Sequence, residues 1–270
     1  MALEPPSSAA FELVAHVARA YASLVQTPLA DPETGLGGRL FYAGELNEEG
    51  RALVVAANIA GAATLVATAD RAAQKQSLRL GVADFLVNSL DESLRILKNQ
   101  LRKRETVSVC VALPTEAVES EMRERGVVPD LLRAGLSIAP YHEALIIQER
   151  EQTEFDLKKI PALVTWRVDL APAQWLPKLD VIALDCLEAG ERAGAWPDAW
   201  VARRWLRLDP RYLGRLAQGL RLFDCNREFA ARFAERVNQC VDRGEIPVAV
   251  EIRSYSRGLC DQFRFVPVKP

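Results

Sequence analysis

At 270 residues the chain has room for one large domain or two small ones, and it can bury a core without disulfides or a structural metal. Its 34 Lys and Arg against 36 Asp and Glu leave a formal charge of −2, which excludes a polycation built to coat phosphates. No apolar run approaches the roughly 20 residues of a membrane helix, and the N-terminal stretch has neither a basic n-region nor a continuous apolar h-region. These features predict a soluble cytoplasmic protein with no membrane partner and no nucleic-acid partner.

In chain order, Phe11, Val14, Val17, Ala18, Tyr21 and Leu24 fall at helical spacing, predicting an amphipathic helix from Phe11 to about Val25. It is followed by a loop rich in Pro, Asp and Gly, and the two together (1–37) are read as a segment packed on the core. From residue 38 a rhythm sets in. Strands are predicted at 39–44, 63–70, 82–88 and 106–114, each a short apolar run. Helices follow them: one with an acidic start that closes at Gly61, one from Arg71 to Gly81, one over 89–105, and one starting at Thr115 and closing at Gly126. Ser89 and Glu92 have capping-box spacing, and Thr115 is read as the cap of the fourth helix. Strands alternating with helices specify an α/β fold: a Rossmann-like open, mostly parallel sheet with helices on both faces. A fifth strand is placed near Leu136–Pro140.

Beyond about residue 140 the rhythm loosens, which predicts an elaborated C-terminal half within a single domain over 38–270. The stretch 141–159 is read as helical, 161–170 and 179–186 as strands, Asp224 to Arg243 as a helix stopped by Gly244, and 246–255 as a strand.

Five cysteines, an odd number with no C-x-x-C pair, predict reduced thiols rather than a disulfide framework or a zinc site. Only His16 and His142 are present, so neither a zinc site nor a histidine-based triad is expected, and no metal is predicted. His16 lies in the first helix and is read as a packed residue. His142 lies near the end of the fifth strand beside Glu143, where a parallel sheet places its ligands, so it is a candidate binding residue or acid–base. Arg203, Arg204, Arg207, Arg211 and Arg215, with Trp200, Trp205 and Tyr212 between them, read as a solvated helix face rather than an RNA contact.

A dinucleotide needs a tight glycine turn after the first strand, so that backbone N–H groups reach the pyrophosphate. Here that turn runs from Gly44 through Asn47 to Gly50, with Glu45, Glu48 and Glu49 inside it. Gly44, Asn47 and Gly50 are candidate cofactor contacts, but the carboxylates oppose a phosphate. Asp70, at the end of the second strand, is either a ribose-holding acid or the cap of the next helix.

Residues 63–132 resemble the NAD-binding domain of urocanase (urocanate hydratase). The resemblance rests on Asp84 with Leu90-Asp91-Glu92-Ser93-Leu94, on Val107-Ser108-Val109-Cys110, and above all on Glu121, Arg125-Gly126 and Pro129-Asp130. It extends more thinly over about 38–267, through Asp209-Pro210 with Tyr212 and the C-terminal Phe263 to Pro267. It implies an NAD cofactor and, for an enzyme, hydro-lyase chemistry. The sequence also departs from the family's pattern. Of the family's glycine-rich turn only Gly50 stays in register, the ribose acid falls at Thr68 with Asp70 two residues on, and of the cofactor motif that follows Pro-Asp only Ser137 agrees. The family's flanking domains, which carry its reactive cysteine, have no counterpart in these residues.

The resulting expectation is a urocanase-like Rossmann protein with a degenerate NAD site that binds a small, nucleotide-like ligand at the carboxyl edge of the sheet. Gly44, Asn47, Gly50, Asp70, Ser137 and His142 are its candidate contacts, and Asp70, Asp130 and His142 its candidate proton carriers. Two alternatives stand beside it: urocanate hydratase, or a subunit of one completed by a partner chain, and a non-catalytic interaction protein. No catalytic residue is assigned, and self-association into a homo-oligomer is left open.

Overall fold

A computed structural model describes residues 9–134, 136, 145–147, 162–192, 199–214, 216–217, 219–256 and 259–267. The chain divides into two compact units, one of residues 16–151 and one of residues 1–15 with 152–270. The helix α1 (Ala9–Val25) lies across that division and agrees with the helix expected from Phe11 to Val25.

The unit of residues 16–151 holds β1 (Leu40–Glu45), α2 (Glu48–Ala60), β2 (Ala63–Ala67), α3 (Arg71–Leu80), β3 (Phe85–Val87), α4 (Leu90–Lys103), β4 (Val107–Val111), α5 (Thr115–Glu124), β5 (Leu131–Arg133) and β6 (Leu145–Ile147). Its sheet has the order β3-β4-β2-β1-β5-β6, and every neighbouring pair is parallel. The four expected strands are all present; β1 is shifted by one residue, and β2, β3 and β4 are shorter than their apolar runs. β2 and β4 are buried throughout, as strands covered on both faces must be. One face packs Leu40, Tyr42, Leu65, Ala67, Val109 and Val111 against Leu90 and Leu97 of α4 and Val118 and Met122 of α5. The other carries α2, whose small residues Ala52 to Ala60 are buried all round, so the helix can lie close to β1 and β2.

The caps follow the local sequence. Asn47, Asp70 and Ser89 each accept from a backbone N–H in the first turn of the helix that follows. Thr115 does not cap α5; that place falls to Pro114, which has no side chain able to bond, and the Thr115 hydroxyl turns instead to Glu45. Arg125 ties the end of α5 to the start of α4 through Asp91 at 3.1 Å and to its own helix through Glu121 at 2.7 Å.

The fifth strand is β5, a few residues before Leu136–Pro140. Of that run only Leu136 is among the described residues, and it lies in no strand. Within 141–159, expected to be helical, Leu145–Ile147 is a strand, because β5 offers it a parallel edge that an isolated segment lacks. The rest of that stretch lies outside the described residues.

The unit that contains residues 152–270 is built from β7 (Ala162–Val168), α6 (Pro172–Arg192), α7 (Ala199–Leu213), β8 (Leu220–Cys225), α8 (Arg227–Asp242), β9 (Val250–Ser256) and β10 (Leu259–Phe265). Its sheet, β10-β9-β7-β8, is antiparallel throughout. The division between the two units falls near residue 151, and each unit has a sheet of its own. The run 179–186 is not a strand but the middle of α6, where Leu176, Leu179, Ala183, Cys186 and Leu187 bury one helical face. Asp224 belongs to β8 rather than to the long helix, which starts after its cap Asn226. The strand expected over 246–255 begins later, at Val250, and extends to Ser256. Among the described residues no helix is long and apolar enough to cross a membrane.

Candidate functional site

In the parallel sheet β1 lies between β2 and β5, and the strand order reverses there, since the chain leaves β1 toward β2 but returns to β5 on its other side. In an open parallel sheet the crevice at such a reversal, beyond the carboxyl ends of the strands, is where a ligand fits. The residues that reach this edge are those of the turn after β1, the start of α3, the end of β5 and the start of α5.

The turn after β1 is shaped by its two glycines. Gly44 has φ +76°, and the register of β1 against β2 shifts between Tyr42 and Glu45, so the strand bends as it ends. A Cβ on Gly44 would lie 2.7 Å from Leu136 Cδ2. A Cβ on Gly50 would lie 2.0 Å from the carbonyl oxygen of Glu45, far inside contact distance. Both glycines therefore serve close approach of the chain to itself. The Gly50 N–H, one of the amides that a helix N-terminus offers an anion, donates instead to Asn47 Oδ1 at 2.8 Å. Glu48 and Glu49 stand exposed in the first turn of α2, where the helix dipole stabilises their charge. Glu49 pairs with Arg133 from the end of β5, so this cation on the crevice already has a counter-charge. In this turn the glycines are therefore taken up by the chain's own close approaches, the Gly50 N–H by the Asn47 cap, and the first helical turn carries negative charge.

Asp70 is exposed and caps α3, its Oδ1 accepting from Ala72 N–H at 2.8 Å. Its own N–H donates to Thr68 Oγ1 at 3.2 Å. The N-cap reading of Asp70 is thus realised, and its position beyond β2 leaves it at the carboxyl edge. Asp130 is elsewhere. It accepts from the Leu40 N–H at 2.8 Å and from Arg39 at 3.2 Å, at the start of β1 and so at the amino edge of the sheet. It cannot serve as a proton carrier at the crevice. Ser137 and His142 lie outside the described residues.

The sequence reading missed a polar group under the start of α5. The Thr115 hydroxyl donates to Glu45 Oε2, which sets a carboxylate at an α5 N-terminus that no side chain caps. Behind them lie the fully buried phenol of Tyr42 and the buried Glu119. Burial first, then the negative charges of Glu119 and Glu45, raise the pKa of Tyr42 far above its ordinary value. Burial, helped by Glu45, pushes the Cys110 thiol up to about 12, so this cysteine is not a nucleophile at neutral pH. Period-two spacing from Tyr42 was the available signal, since Leu40, Tyr42 and the α5 residues share one face. Hydroxyl and carboxylate groups thus meet where β1 ends and α5 begins.

Of the five arginines read as a helix face, Arg207 and Arg211 are exposed and Arg203 pairs with Glu191. Arg211 lies 5.2 Å over the Tyr212 ring, and Arg215 is outside the described residues. Among the described residues no three His, Cys, Asp or Glu side chains converge as a metal site would need.

A scan against protein-family models matches residues 17–143 to the urocanase Rossmann-like domain. The matched range takes in β1 to β5 with the helices between them.

Proposed function

Because residues 17–143 match the model of the urocanase Rossmann-like domain, we propose that the chain keeps the scaffold of that family and has lost its NAD site, and that it binds a small nucleotide-like ligand through the nucleoside part. The observation that carries this reading is the reversal of strand order at β1, because the carboxyl edge at such a reversal is where an open parallel sheet holds its ligands. Asn47 and Asp70 stay candidate contacts from the sequence, each with one side-chain oxygen already used to cap a helix, and the carboxyl and hydroxyl of Glu45 and Thr115 lie along the same edge of the sheet. Ser137 and His142 stay candidates from the sequence. The buried thiols Cys110, Cys186 and Cys225 fit a reducing, cytoplasmic setting.

Native mass spectrometry of the purified protein, followed by calorimetric titration with nucleosides and with NAD, tests the proposal. Retention of a small ligand, or saturation by a nucleoside while NAD shows none at micromolar levels, is expected. Tight NAD binding would overturn it.

The family match itself favours a second reading, urocanate hydratase or a subunit completed by a partner chain. General acid–base groups must lie within hydrogen-bond reach of the substrate. Of the three proton carriers expected, Asp130 is at the wrong edge and Asp70 is engaged as a cap, so this reading is the weaker one.

A further inference from the structure

The unit with the antiparallel sheet buries three charged side chains in one cluster. Asp180, from α6, accepts from Trp166 Nε1 at 3.2 Å and from Arg221 Nε and Nη2, each at 3.3 Å. Arg221 stands on β8 and is itself buried, and its Nη1 has no hydrogen-bond partner. Asp209, on α7, is 1% exposed, and its Oδ2 has no hydrogen-bond partner either. One guanidinium thus faces two carboxyl groups, and the hydrogen bonds go to only one of them.

We propose that Asp209 is a titratable lock on this unit: protonated, it lets α7 pack on β8, and ionised, it puts a surplus buried negative charge beside the Asp180–Arg221 pair and loosens that packing. A buried charge with an unbonded oxygen is strongly disfavoured unless the group neutralises itself or reaches water. The charged groups that act on Asp209 are Arg221 from β8 and Asp180 from α6; on its own helix Arg207 and Arg211 are exposed. Burial, the largest influence, raises the Asp209 pKa well above the ordinary carboxylate value, Arg221 opposes that, and Asp180 adds to it. A carboxyl raised in the folded state contributes stability that is fully present below its unfolded pKa and is lost as pH rises through its folded one. The unit therefore weakens as pH rises from the ordinary Asp range. Trp205, one helical turn before Asp209, donates to the Leu222 carbonyl of β8 at 2.8 Å, so the α7–β8 contact carries its own fluorophore.

All five tryptophans lie between Trp166 and Trp205, so intrinsic fluorescence reports this unit alone. Urea unfolding of the full chain, followed by tryptophan fluorescence at pH values from 5 to 9, is compared between the natural chain and Asp209→Asn. The folding constant of the natural chain should fall about tenfold per pH unit across the window in which only the unfolded state is ionised. In Asp209→Asn the fall should be much shallower, with greater stability at pH 8. An equal slope in both would overturn the proposal. Should the variant fail to fold, infrared spectroscopy of the natural chain at pH 7 decides: a protonated-carboxyl band that persists supports the lock, and its absence overturns it.

Discussion

Gly50 shows how far one residue's meaning depends on its neighbours. In the sequence it is the single glycine that stays in register with a phosphate-binding turn. In the fold its missing side chain makes room for the Glu45 carbonyl oxygen, 2.0 Å from where a Cβ would stand. Gly50→Ala should therefore cost about 3 kcal/mol, as overpacking against backbone does, read as a lower urea midpoint by circular dichroism. An unchanged midpoint would show that the turn is looser than described. Glu49 is legible as a negative charge from the sequence, but its pairing with Arg133 is not, because 84 residues separate them. Glu49→Gln removes a repulsion and also frees Arg133, so it should improve NAD binding by more than Glu48→Gln does, with about 1 kcal/mol for each charge effect at this part-exposed site. Calorimetric titration of the two variants side by side checks the ranking. Cysteine reactivity is set by burial too: burial pushes Cys110 up to about 12 and Cys186 to about 11. Alkylation of the native chain at pH 7, mapped by mass spectrometry, should mark Cys240 and Cys260, the two that are not fully buried, and leave those two cores unmodified.

Elements whose ends are fixed by local chemistry were readable in advance, and those fixed by partners were not. Asn47, Asp70 and Ser89 cap their helices with their own side chains, an interaction complete within four residues. Asp70→Ala should cost about 1 kcal/mol and Asp70→Asn much less, because Asn keeps an acceptor for the Ala72 N–H. A thermal melt of the two variants separates this from a purely ligand-binding role, in which free-protein stability would not move. α5 is the counter-example. Thr115 looked like a cap, but β4 delivers it beside Glu45, and a carboxylate 70 residues away becomes the better partner for its hydroxyl. α6 was misread for a related reason: an eight-residue apolar run fits a buried strand or a buried helix equally well, and only its contacts with α7 and α8 decide between them. β10 escaped notice because Asp261, Gln262 and Arg264 interrupt its apolar pattern, while β9 supplies the full hydrogen-bonding register.

For the molecule as a whole, the parallel sheet with helices on both faces followed from the alternation of strands and helices, and the family match covers the same stretch. The antiparallel sheet of residues 162–265 had no such rhythm to announce it. Hydration of urocanate needs proton donors and acceptors gathered at one place, and the described residues of the crevice gather carboxylates around a helix cap instead. Pure chain with NAD should leave urocanate absorbance unchanged. If it falls and His142→Ala abolishes the loss, the second reading of the function takes over.

The sequence by itself determined the class of the first unit, the caps at Asp70 and Ser89 and the acidic character of the turn after β1, because periodicity, capping and charge are properties of a few adjacent residues. Tertiary structure alone decided that Asp130 sits at the amino edge, against the start of β1, and that Glu45 meets Thr115 at the carboxyl edge. It also decided that Gly44 and Gly50 serve the chain's own turn, and that Asp209 is buried with an oxygen left unbonded in the unit that holds the Asp180–Arg221 pair. These depend on which strands become neighbours and on how much water their packing removes, and both arise from contacts between residues far apart in the chain.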